Sequence, residues 1–184
     1  MTTIELWQGD ITTLAMDAIV NAANNGLRGG GGVDGAIHRA AGPELDEACR
    51  RIGWCDTGQA VITPGFKLPA RYIIHTVGPI WSEQNETASD ALLASCYRSS
   101  LELAAAHRLM SIAFPALSTG IFGFPTLRAA RIAIREVRRA AANPGSLERI
   151  ILVCFDEQTK QVYMQVMNET EPKSCSDKTG QGED

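Results

Sequence analysis

The stretch "NAANNGLRGGGGVDGAIHRAAG", Asn21 to Gly42, decides how the rest of the sequence is read. Four consecutive glycines, Gly29 to Gly32, lie between Asn21 and Asn24 on one side and Asp34 on the other. Glycine gives up more conformational freedom on folding than any other residue, so ordering four in a row is costly. The run follows a short apolar segment, Ala18–Ala23, that reads as a strand. It precedes a helical pattern that starts near Val33 or Asp34. Loops at the carboxyl ends of strands in open α/β sheets are the usual ligand position. Glycines there bare the backbone N–H groups, and a helix N-terminus behind them favours negative charge. The segment predicts a phosphate or pyrophosphate site. Gly30, Gly32 and Gly35 also spell G-x-G-x-x-G. A dinucleotide fingerprint needs its strand to run straight into the first glycine, and here several residues intervene after a second strand, so that reading is set aside.

Outward from this segment, apolar runs alternate with helical patterns. Ile4–Gln8, Ala18–Ala23, Gln59–Thr63, Arg71–Val77, Ser111–Ala116 and Arg149–Phe155 read as strands. The later ones are continuously apolar, as strands covered on both faces are. A helix over Ser89–His107 stripes Leu92, Leu93, Cys96, Tyr97, Leu101 and Ala104, with Ser89 or Asp90 as its cap. A second covers Thr126–Ala142 and stops at Asn143-Pro144-Gly145, and a third covers Glu157–Asn168. The alternation predicts an α/β fold, a three-layer α/β/α sandwich around a mixed, largely parallel sheet. It predicts one domain, 1–168, followed by an acidic, disordered tail, 169–184. Arg128, Arg131, Arg135 and Arg138 recur at helical spacing and read as a solvated face.

The totals narrow the function classes. Of a net charge of −4, the last sixteen residues contribute −3 through five acids and two lysines, so the body is near neutral. That argues against a broad nucleic-acid surface but not against a local anion pocket. No segment approaches the about 20 apolar residues of a membrane span. No basic segment followed by an apolar run opens the chain, so no signal peptide is expected. Five scattered cysteines with no C-x-x-C pair fit reduced thiols in a cytoplasmic protein.

Two further segments carry chemistry. "PALSTGIFGFP", Pro115 to Pro125, also links a strand to a helix. Ser118, Thr119 and Gly120 offer hydroxyls and unhindered N–H groups as a second anion cradle, and Phe122 and Phe124 could wall a sugar or base. "QGDIT", Gln8 to Thr12, places Asp10 after a strand and a turn. Asp10 reads either as a cap of the following turn or as an acceptor for an exocyclic amine such as adenine N6.

Together "GDIT", the glycine segment, "HTVGP" at His75–Pro79 and "PALSTGIFGFP" resemble the macrodomains, most closely their MacroD-type branch, over about Ile4 to Asn168. That branch includes bacterial O-acetyl-ADP-ribose deacetylases. The resemblance implies that Asp10 binds adenine N6 with the Ile11 backbone beside it. It implies that Gly30, Gly31, Gly32 and Val33 cradle one phosphate, and that Ser118, Thr119, Gly120, Ile121 and Phe122 wrap the diphosphate. Asn24 would contact the distal ribose hydroxyls, Asp34 would hold or polarise the attacking water or anchor that ribose, and the two together would form the catalytic pair. Asn21 and His38 match positions the branch also uses near the site. Many relatives have tyrosine where Phe122 stands, which removes any catalytic phenol here. The zinc-dependent branch needs a Cys/His cluster, and His38, His75 and His107 stand far apart in sequence, so neither metal nor cofactor is implied.

The implied activity is hydrolysis of ester-linked ADP-ribose, either O-acetyl-ADP-ribose or mono-ADP-ribose on Asp or Glu of proteins. The implied partners are ADP-ribose, its esters and mono-ADP-ribosylated proteins, with no membrane. A reader that binds ADP-ribose without turnover is the alternative. A phosphatase acting on ADP-ribose 1″-phosphate is a further one.

Overall fold

The structure, a computed structural model, describes residues 1–169. Six strands form one sheet: β1 (Thr3–Gln8), β2 (Ala18–Ala22), β3 (Ala60–Pro64), β4 (Tyr72–Thr76), β5 (Ser111–Pro115) and β6 (Arg149–Cys154). Their order is β1-β6-β5-β2-β4-β3. Every neighbouring pair is parallel except β3 with β4. Among the described residues the five α-helices are α1 (Gly32–Ala41), α2 (Pro43–Ile52), α3 (Glu86–Ala106), α4 (Thr126–Ala142) and α5 (Glu157–Asn168). The α/β/α sandwich read from the sequence is the fold observed.

Side chains alternate across a strand, so a strand buried on both faces feeds two cores. Val20, Ile112, Phe114, Ile150 and Leu152 pack with α3, α4 and α5. Ile19, Ile73, Ala113, Ile151 and Val153 pack with α1 and α2 on the other side. This explains the continuously apolar strands. It also has a consequence for ligands. The segment after β2 leads to α1 on one face, and the segment after the adjacent β5 leads to α4 on the opposite face. That divergence makes a crevice at the carboxyl edge of the sheet, the switch point where open α/β folds bind ligands.

Two local expectations change. Helix α3 begins at Glu86, directly after the short turn Glu83–Asn85, rather than at a Ser89 or Asp90 cap. Asp90 is instead gripped by Arg128 of α4 through two 2.7 Å hydrogen bonds, and Ser89 is buried. Helix α2 exceeds the sequence expectation, because only Leu45 and Cys49 of its ten residues are buried and the apolar stripe is faint. The arginine stripe of α4 is a half-exposed, solvated face whose guanidinium groups also make ties. Arg131 pairs with Glu169, Arg135 with Glu136, and Arg138 donates to the Met167 carbonyl. Glu169, the first residue of the expected tail, is thus held against α4, and the rest of that tail, 170–184, lies outside the described residues. Among the described residues no helix is long and apolar enough to cross a membrane.

Candidate functional site

Helix α1 starts at Gly32 with Gly31 as its extended N-cap. Gly32 sits at φ +57°, in the left-handed region where a side chain is strained, which is one reason for glycine here. Gly35 supplies another. A Cβ on it would lie 2.3 Å from the Gly30 carbonyl oxygen, so the loop backbone passes directly over the first turn. The first intrahelical donor is Gly35, whose N–H reaches the Gly31 carbonyl at 3.2 Å. Among the described residues, the N–H groups of Gly29 through Asp34 therefore have no acceptor. Six successive free donors leading into a helix N-terminus are an arrangement that can hold an anion.

The β5–α4 loop repeats the device. Gly123 donates to Gly120 at 3.0 Å and Phe124 to Ser118 at 2.9 Å, which closes the loop on itself. The N–H groups of Thr119, Gly120, Ile121 and Phe122 are left without acceptors among the described residues. The Phe122 carbonyl accepts from the Trp81 N–H at 2.8 Å, and the Trp81 ring packs 4.7 Å from Phe124. Ile121 is 96% exposed at the tip. Ser118 departs from its expected role as a hydroxyl donor to ligand. Its Oγ is buried, has no partner among the described residues, and abuts Gly78, where a Cβ would lie 2.1 Å away. The loop thus offers backbone donors and no buried hydroxyl.

One carboxylate stands behind the first cradle. Asp34, in the first turn of α1, is 6% exposed. Its Oδ1 accepts from Asn21 Nδ2 at 2.8 Å and faces His38 Nε2, one helical turn on, at 3.3 Å. Its Oδ2 takes no hydrogen bond among the described residues. That oxygen faces Gly30, where a Cβ would lie 3.3 Å from it and crowd it. The carboxylate has one held oxygen and one presented to the glycine loop.

Asn21 is fully buried beneath Asp34, so its expected role in contacting ligand gives way to one of holding the acid. Its amide also donates to Nδ1 of His75, its cross-strand neighbour on β4, at 3.0 Å. His75 is fully buried, and that burial pushes its pKa down to about 4. The ring is neutral near pH 7. With Nδ1 accepting, its proton sits on Nε2 and is donated to Thr63 Oγ1 at 2.9 Å. His75 is a satisfied core histidine that anchors Asn21. His38 differs. Its pKa is raised, chiefly by the hydrogen bond to Asp34, against desolvation and with help from Asp46.

The remaining expected residues fall around this centre. Asn24 spends its side chain on the glycine segment itself. Its Oδ1 accepts from the Arg28 N–H at 3.0 Å, and its Nδ2 donates to the Arg28 carbonyl. Both readings of Asp10 stay open. Its Oδ1 caps the turn Ile11–Thr13 by accepting from Thr12 N at 2.9 Å and Thr12 Oγ1 at 2.7 Å, which leaves Oδ2 for another donor. Ile11 is buried against the α1 side. The strand register β1–β6 aligns Gln8 with Cys154 and so brings Phe155 beside Gly9 and Asp10. Phe155 is 84% exposed, an aromatic ring with an open face. In sequence it merely ends an apolar run, and only the β1–β6 pairing marks it as part of the site.

Asp10, the two amide cradles, Asp34 and Phe155 all lie at the carboxyl edge of the five parallel strands. Such an arrangement defines an α/β/α domain with two rows of free amide donors and two carboxylates gathered at a switch point. The chain belongs to the macro domain family, which matches residues 20–133. It is 59% identical over 169 residues to a macro domain-containing protein of Ralstonia nicotianae, covering 91% of this chain and 95% of that one. It is 52% identical over 170 residues to a protein of Escherichia fergusonii named O-acetyl-ADP-ribose deacetylase, covering 90% and 96%. The solved structure of the Oceanobacillus iheyensis macrodomain with ADP superimposes with a TM-score of 0.86 at 44% identity, over 90% of each chain.

Proposed function

We propose that this macrodomain hydrolyses ester-linked ADP-ribose, with O-acetyl-ADP-ribose and ADP-ribose on protein Asp or Glu as the substrate class. The observation that carries the reading is Asp34, a single buried carboxylate with one oxygen fixed and the other open to a row of free amide donors. A relative named for this deacetylation at 52% identity supports it.

The chemistry follows from the site. The diphosphate takes the free N–H groups of Gly29–Asp34 on one side and Thr119–Phe122 on the other, with no side-chain cation required. Adenine lies toward Phe155, which stacks on it, with Asp10 Oδ2 accepting from N6. The distal ribose then lies over the glycine loop. Asp34 Oδ2 accepts a hydrogen bond from a water and aims its oxygen at the ester carbon. The water oxygen bonds to that carbon, the bond from carbon to ribose oxygen breaks, a proton of the water passes to the ribose oxygen, and a carboxylic acid and free ADP-ribose leave. An ester is labile enough that orientation, rather than a covalent nucleophile, supplies the acceleration.

The test is release of ADP-ribose from O-acetyl-ADP-ribose by the purified protein. Turnover is expected. ADP-ribose bound without turnover would replace the hydrolase with a reader, and turnover of ADP-ribose 1″-phosphate alone would replace it with a phosphatase.

The adenine end has its own expected result. Asp10→Asn retains an oxygen able to cap the Ile11–Thr13 turn, yet it replaces Oδ2 with a donor that cannot accept from N6. ADP-ribose should bind about tenfold more weakly, in line with a lost hydrogen bond to a charged group. Ribose 5-phosphate and the melting temperature should not change. Isothermal titration with both ligands checks this, and equal losses for the two would remove the adenine assignment.

A further inference from the structure

Behind Asp34 the polar chain does not end at His38. The ring of His38 has both nitrogens committed to carboxylates: Nε2 to Asp34 on its own helix at 3.3 Å, and Nδ1 to Asp46 Oδ1 on α2 at 2.6 Å. The His38 and Asp34 side chains are each 8% exposed, whereas that of Asp46 is 51% exposed. The loop itself leans on this ring, since a Cβ on Gly29 would lie 3.1 Å from His38 Cγ. His38 thus touches both the acid and the first residue of the glycine run.

We propose that Asp46 is a positioning residue for the hydrolysis, which fixes the His38 ring so that its Nε2–H stays on Asp34 Oδ1 and its face stays under Gly29. The inference rests on the hydrolase reading for its kinetic consequence and on geometry alone for its structural one. An imidazole between two acceptors satisfies both only when both nitrogens carry protons. Without Asp46, nothing on α2 holds Nδ1. The ring is then free to turn, Asp34 loses a fixed donor, and its open oxygen is no longer aimed.

The charges around His38 are few. Asp34 faces it from α1 and Asp46 from α2. Cys49 of α2 is a neutral thiol, pushed up to about 11 chiefly by burial. His75 of β4, with its ring 6.4 Å away, is neutral. The two carboxylates therefore favour the protonated ring. A histidine held above its ordinary 6.5 adds stability that is whole below that pH and is lost as pH rises through the folded value.

The experiment compares wild type, Asp46→Ala and Asp46→Asn. Position 46 is half-exposed at the start of α2, so both variants fold. Nitrogen-15 NMR of the imidazoles reads the protonation and tautomer of His38, and steady-state kinetics on O-acetyl-ADP-ribose reads kcat and KM. In Asp46→Ala the His38 midpoint should fall by about one pH unit, as expected on losing a contacting carboxylate. In that variant kcat should fall about tenfold with KM within about twofold. Asp46→Asn keeps an oxygen for the Nδ1–H and loses the charge, so its midpoint should fall likewise while kcat returns to within about threefold of wild type. An unchanged His38 midpoint in Asp46→Ala overturns the proposal, as does a kcat loss that Asn does not restore. If the wild type shows no turnover, the hydrolase reading fails on that result. The His38 midpoint and tautomer then decide the positioning claim by themselves.

Discussion

Asp34→Ala should lose about 10²–10³-fold in kcat on O-acetyl-ADP-ribose, the range expected for removing a positioned acid–base group. Its affinity for ADP-ribose should stay within about fivefold of wild type. The split follows from where the groups lie. The diphosphate is gripped by backbone N–H groups of Gly29–Asp34 and Thr119–Phe122, which the substitution leaves in place. What disappears is the single carboxylate oxygen presented to the loop. The variant also strands two donors, Asn21 Nδ2 and His38 Nε2, that had shared Oδ1. An orphaned buried donor costs about 1–3 kcal/mol, so a lower melting temperature is part of the expectation. Asp34→Asn separates the two effects. Its amide oxygen can still accept from Asn21, so stability should largely return, whereas an amide oxygen is a poor base and turnover should not. If Asp34→Ala turns over as fast as wild type, the acid is not catalytic. If it loses turnover and binding together, Asp34 is part of the ribose grip instead.

The second large effect is expected at Gly35, a residue with no role in contacting ligand. Alanine is favoured over glycine inside a helix by about 1 kcal/mol, so propensity alone predicts a gain. Packing predicts the reverse, because the added Cβ would lie 2.3 Å from the Gly30 carbonyl oxygen. That atom is backbone and cannot rotate away without moving the loop. Overpacking of this kind costs about 1–3 kcal/mol and should win. Gly35→Ala should therefore melt several degrees lower and bind ADP-ribose more than tenfold more weakly, since the Gly29–Asp34 donors are displaced as a group. Gly31→Ala is the control. It has φ −90°, a conformation any residue adopts, and no atom within 4 Å of the added Cβ. Its melting temperature should match wild type. Equal melting temperatures and equal affinities for the two variants would mean that the glycine run does not owe its shape to the close pass at Gly35.

The two effects differ in how visible they are in the sequence. Asp34 stands out there because a lone acid beside four glycines is unusual. The reason for Gly35 does not, because its neighbour Gly30 is touching it only once the chain has turned into α1. The same contrast holds across the site. Free amide donors follow from glycine-rich βα loops and are expected from pattern alone. The burial of the Ser118 hydroxyl against Gly78, and the use of the Asn24 side chain to hold the Arg28 backbone, depend on loop conformations that no spacing encodes.

By itself the sequence determined the layering and every strand and helix except α2. Helices Thr126–Ala142 and Glu157–Asn168 and the apolar strands are set by periodicity and local stop signals, which act over a few residues. It also marked the glycine run and Asp34 as a candidate site. Only the tertiary structure decided which partners complete that site. Asn21 lies under Asp34 because strand β2 ends beneath the first turn of α1. His75 anchors Asn21 because β2 pairs with β4, 54 residues along the chain. Asp46 meets His38 because α1 and α2 pack side by side, and Phe155 comes to the same sheet edge as Asp10 because β6 pairs with β1. Each of these contacts joins residues whose own neighbours in sequence carry no trace of the other. A hydrogen bond is set by a few tenths of an ångström in space, whereas periodicity reports only which face of an element is buried.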